Sequence, residues 1–116
     1  MGFLDSMTSK ITEKANQELS NVLPEGETVL KIYIVKEDFC AITEKRVVFV
    51  DKKLVSSKKT LTSVPFSKIN FVALKRGGFL SISKEVIIGT GGLALEIDTY
   101  DGNQAYEIVR EISKKL

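Results

Sequence analysis

From Leu4 to Val22 the apolar residues Leu4, Met7, Ile11, Ala15, Leu19 and Val22 recur every three or four positions, with Lys10, Glu13, Lys14 and Glu18 between them. That is the period of one helix face, and it predicts an amphipathic helix. Pro24 and Gly26, in Leu23-Pro24-Glu25-Gly26-Glu27, end the helix and make a turn, because proline disfavours helical geometry in the residue before it. Beyond the turn the period falls to two. Val29 to Val35 places Leu30, Ile32 and Ile34 on one face and Lys31 and Tyr33 on the other, the pattern of a strand.

Phe39 to Ile42 and Val47 to Val50 are two further strand-forming runs separated by the polar turn Thr43-Glu44-Lys45-Arg46, and they pair as a hairpin. In the second run Val47 and Phe49 point one way, Val48 and Val50 the other. A strand that is apolar on both faces is covered on both, by its own chain or by a partner.

Asp51 to Lys59 reads as a polar connection leading to a fourth strand, Thr60 to Phe66, whose Pro65 marks an end, an edge or a bulge because it donates no ladder hydrogen bond. Ile69 to Leu74 forms a fifth strand and Glu85 to Ile88 a sixth. Gly89-Thr90-Gly91-Gly92 turns into a seventh strand, with Leu93, Leu95 and Ile97 alternating against Ala94, Glu96 and Asp98. Asp101 or Asn103 can cap a closing helix on which Ala105, Ile108, Val109, Ile112 and Leu116 share a face. Seven sequential strands with short connections and a terminal helix predict a mainly β fold with flanking helices, a strongly bent antiparallel sheet or barrel plugged at one end by the last helix.

The length of 116 residues holds one domain, and 43% apolar against 28% charged residues places the chain among folded proteins rather than disordered ones. No apolar run reaches the ~18 residues of a membrane span and no signal-peptide pattern opens the chain, so the expected location is the cytoplasm. Cys40 is the single cysteine and sits within a strand pattern, where it reads as a small buried side chain. There is no histidine. This removes Ser-His-Asp and Cys-His nucleophile chemistry and the common zinc arrangements, and no catalytic, metal or cofactor set takes their place. Gly89 to Gly92 precedes a strand, whereas a phosphate loop precedes a helix. Asp98, Asp101 and Asn103 lack the alternate spacing of a calcium loop. The reading is of a protein that is not an enzyme and has no small-molecule substrate.

The stretch Ile42-Thr43-Glu44-Lys45-Arg46-Val47-Val48-Phe49-Val50-Asp51-Lys52 resembles the signature hairpin of bacterial pleckstrin-homology-like (PH-like) domains, and Ser63-Val64-Pro65-Phe66-Ser67-Lys68-Ile69 is similar to their next landmark. The opening Met1-Gly2-Phe3-Leu4-Asp5, the Leu23-to-Glu27 turn and the last helix also resemble that family, so the likeness spans essentially the whole chain. It implies an N-terminal helix over 1–23 followed by a PH-like barrel of seven strands over 27–116, with no agreed activity and a tendency to ring-like homo-oligomers. Eukaryotic members that bind phosphoinositides use basic residues around the first hairpin loop. Here that loop, Val35-Lys36-Glu37-Asp38, is net acidic, which argues against an inositide pocket there.

Charge supplies the first of two candidate contact surfaces. Glu44 to Arg76 carries +7 of formal charge and the rest of the chain −5. Lys45, Arg46, Lys52, Lys53, Lys58, Lys59, Lys75 and Arg76 read either as a solvated stretch that keeps the protein soluble or as contacts to an anionic lipid surface, such as the inner face of the membrane. No aromatic platform accompanies these residues, so nucleic acid is not an expected partner. The second surface is apolar. Leu4, Met7, Ile11 and Leu19 on the first helix require cover, and the expected dock is the strand face of Val47 and Phe49, in the same chain or a second copy, ahead of insertion into a membrane interface, for which the polar face has few cations.

Overall fold

The computed structural model describes the backbone of residues 3–36, 38–55, 58–76 and 84–116, and within these the side chains outside 3–9, 51–55 and 58–59. Helix α1 (Phe3–Val22) leads into β1 (Val29–Ile34), β2 (Phe39–Thr43), β3 (Arg46–Val55) and β4 (Lys58–Pro65), which pair in that order as one antiparallel sheet. A single 3₁₀ turn, Phe66–Lys68, turns the chain into a second sheet made of β5 (Phe71–Lys75), β6 (Glu85–Thr90) and β7 (Leu93–Asp98). Helix α2 (Gly102–Ser113) follows, with Asp101 as its cap, the carboxylate accepting the Gln104 amide at 2.9 Å.

The main core lies between the sheets and under α2. Val47, Phe49, Val86, Ile88 and Ile97 meet Ala105, Ile108 and Ile112 there, all essentially inaccessible to water. The helical spacing of Ala105, Ile108 and Ile112 brings all three to the sheet, so α2 plugs the barrel as its pattern predicts. Leu116 lies past the end of the helix and is exposed. In the β6–β7 turn Gly91 and Gly92 take φ of 54° and 84°, a region open to glycine and strained for most other residues.

A second core lies outside the first sheet. Ala15 and Leu19 of α1 pack with Phe39, Ala41, Val48 and Val50. The two-faced apolar pattern of β3 is thus explained within one chain, Val47 and Phe49 facing the barrel interior while Val48 and Val50 face α1. This corrects the expected dock. Val47 and Phe49 are fully buried in the barrel and are not available to the helix or to a second copy.

Two further expectations are corrected. Ile32 and Ile34 face the α1 core and Tyr33 the main core, as the alternation predicts, but Leu30 is 49% exposed and leaves the row of Ile32 and Ile34. The register shift between Val29 and Lys31 is the cause, since an extra residue in β1 displaces Leu30 from the apolar row. Residues 51–55 and 58–59 of the expected connection are strand instead, the last part of β3 and the first of β4, with Asp51 opposite Thr60 and Val55 opposite Lys58.

Candidate functional site

The polar turn between β2 and β3 is built around Thr43, whose side chain is buried. Its Oγ1 accepts the amides of Lys45 (3.1 Å) and Arg46 (3.0 Å) and donates to Glu27 Oε2 at 2.7 Å. Arg46 then donates from Nε to Glu27 Oε2 (2.8 Å) and from Nη2 to Glu27 Oε1 (2.9 Å), a two-pronged pair. The Glu27 side chain is 3% exposed and that of Arg46 21%. The hydrogen bonds from Arg46 hold the Glu27 carboxyl below its usual range against the opposing effect of burial. The Glu44 amide donates to the Thr28 carbonyl (3.2 Å) and the Thr28 amide to Glu44 Oε1 (3.0 Å), closing the same junction. Arg46 is therefore committed to an internal carboxylate and is withdrawn from the anion-contact set.

The remaining bases come from separate parts of the fold. Lys45 is exposed at the start of β3. Lys52 lies seven residues further along the same chain direction, ~23 Å away at roughly 3.3 Å per strand residue. Pairing of β2 with β3 is registered from Ile42 opposite Val47 to Cys40 opposite Phe49. Past the end of β2, the registered pairing of β3 among the described residues is with β4, Asp51 opposite Thr60 and Val55 opposite Lys58, and these strand ends carry Lys52, Lys53, Lys58 and Lys59. The side chains of these four lysines lie outside the described residues, as do those of Leu4 and Met7. Lys75 and Arg76 are exposed at the end of β5. Ile11 is half-buried on α1, next to the turn that carries Ala15.

On the outer face of the second sheet Phe71, Lys75 and Ala94 are exposed, while Ala73, Glu85, Ile87, Glu96 and Asp98 are half-buried. Register sets its rows: Phe71 beside Gly89 and Ala94, then Ala73 beside Ile87 and Glu96, then Lys75 beside Glu85 and Asp98. Phe71 is 49% exposed and its ring lies directly on Gly89, where a Cβ would stand 2.1 Å from Phe71 Cε2. The absence of a side chain at position 89 is what lets the ring lie flat on the sheet.

At the other end of this face Glu85, Glu96 and Asp98 bring carboxylate oxygens within 4.8 Å of one another, the donor types that hard cations take. A hydrogen bond with Glu96, then burial and the charges of Glu96 and Asp98, raise the Glu85 carboxyl above its usual range, while Lys75 opposes the shift. Glu85 Oε2 and Asp98 Oδ1 are out of contact with water and have no hydrogen-bond partner among the described residues. Asp98 is not grouped with Asp101 and Asn103: Asp101 caps α2, and Asp98 lies with Glu96, two residues before it on β7, and with Glu85 opposite it on β6, which the β6–β7 register reveals.

A hollow of about 310 Å³ lies between the end of α1 and the start of β1, lined by Leu19, Leu23, Pro24, Glu27 and Val29 among others. None of the three clustered carboxylates lines it. Tyr33 is held well above the usual phenol range, by burial first and then by Glu107. No described helix is long and apolar enough to cross a membrane.

Two solved structures share this architecture. The pleckstrin homology domain from Shewanella amazonensis SB2B matches with a TM-score of 0.66 at 21% identity, covering 88% of this chain and 95% of its own. A DUF1696 family protein with a pleckstrin-homology domain from Shewanella loihica PV-4 matches at 0.61 and 22% identity, covering 88% and 90%. Both establish the fold. Among sequence relatives, the uncharacterized protein YjqA of Bacillus subtilis (strain 168) is 30% identical over 100 residues, 82% of this chain and 80% of YjqA. The uncharacterized protein YozO of the same organism is 26% identical over 100 residues, 86% and 88% of the two chains. The family model described as Bacterial PH domain matches residues 2–116, and the chain belongs to that family.

Proposed function

We propose that this chain is a non-enzymatic PH-like interaction module of the cytoplasm that self-associates into a ring-like homo-oligomer through the outer face of its second sheet. The observation that carries this reading is Phe71, an aromatic ring held over Gly89 and half in water on the outer face of that sheet. Ala94 extends the same row and is exposed, and β5 and β7 are the edges of that sheet. Aromatic residues in such positions supply large contact area at small entropic cost. With β3 covered on both sides by its own chain, this face takes over the role that the two-sided strand had in the sequence. Light scattering after size exclusion tests the proposal at micromolar concentration. The expected result is a multimer that Phe71→Asp reduces to a folded monomer, and a monomeric parent protein overturns it.

A second reading is supported by the lysine-rich ribbon. Lys52, Lys53, Lys58 and Lys59 are close together on two paired strands, and each Lys near an anionic bilayer contributes about 1 kcal/mol to peripheral binding. Co-sedimentation with phosphatidylserine-containing vesicles, weakening with salt, is the expected behaviour. Binding that is absent or indifferent to salt rejects it.

A further inference from the structure

We draw no further inference here: the strongest candidate, the Glu85, Glu96 and Asp98 carboxylate cluster on the outer face of the second sheet, is a group of acidic side chains with no independent feature among the described residues that points to a ligand.

Discussion

The guanidinium of Arg46 and the carboxylate of Glu27 form a two-pronged ion pair at 2.8 and 2.9 Å, joining the turn after β2 to the residue that follows the α1–β1 turn. Thr43 completes the junction by donating to the same carboxylate at 2.7 Å. Two short sequence landmarks, Leu-Pro-Glu-Gly-Glu and Thr-Glu-Lys-Arg, are therefore halves of one latch. Removing one partner of such a pair leaves the other charge desolvated. Arg46→Ala and Glu27→Ala are each expected to cost about 2–4 kcal/mol, and the double variant much less than their sum. Arg46→Lys keeps the charge and loses the fork, so its cost falls between parent and Arg46→Ala. Urea unfolding of the four members of the cycle, with Arg46→Lys alongside, provides the check.

Glu27 and Glu85 give stability opposite dependences on pH. The carboxyl of Glu27 is lowered in the folded protein, chiefly by Arg46, so its contribution is present above the ordinary carboxylate range and is lost as pH falls through the folded value. Glu85 is raised, chiefly by its hydrogen bond with Glu96. Its contribution is full below the ordinary carboxylate range and is lost as pH rises through the folded value. Glu85→Gln is therefore expected to raise Tm near neutral pH, with the gain shrinking in acid, and Glu27→Gln to lower Tm near neutral pH, with the loss shrinking in acid. Calorimetry from pH 3 to pH 8 on both variants measures the two slopes.

The sequence carried the strand order, the closing helix and both landmark motifs, because period and turn chemistry are local signals. It did not carry their coupling. Glu27 and Arg46 are distant in sequence, and the basic character of Arg46 by itself reads as surface. The exposure of Leu30 is not legible in the sequence, because a bulge leaves no mark in an otherwise clean alternation. Nor is the docking of α1 on Val48 and Val50 rather than Val47 and Phe49, since a strand apolar on both faces gives no sign of which face is interior. The carboxylate cluster depends on strand register, which brings Glu85, Glu96 and Asp98 together from two strands.

Docking of α1 on the first sheet makes a specific demand on Leu19. Its side chain is buried against a cluster that includes Phe39, Ala41 and Val48, and Leu19→Ala is expected to cost about 2–4 kcal/mol. Val48→Ala opens space in the same cluster, and the two losses should be less than additive. A control on the exposed side of the helix, Asn16→Ala, should stay within about 0.5 kcal/mol of the parent. Denaturant midpoints for the single and double variants decide whether α1 is integral to the fold or an appendage that frays without consequence.

Cys40 reports on whether the two cores open together. It lies in the barrel core, between Phe39 and Ala41, which face the α1 core, and burial pushes its thiol up to about 12. A thiol so placed is unreactive in the native state, and a disulfide reagent at pH 8 reaches it only through opening of the structure. If the α1 core and the barrel unfold as one unit, Leu19→Ala transmits its whole cost to Cys40, and 2–4 kcal/mol raises the labelling rate by about 30-fold to 1,000-fold. Separate unfolding of α1 leaves the labelling rate unchanged although the helix signal is lost. Thiol labelling and circular dichroism on the same samples distinguish these outcomes, and equal shifts in both are expected, because Phe39, Cys40 and Ala41 belong to one five-residue strand that contributes side chains to both cores.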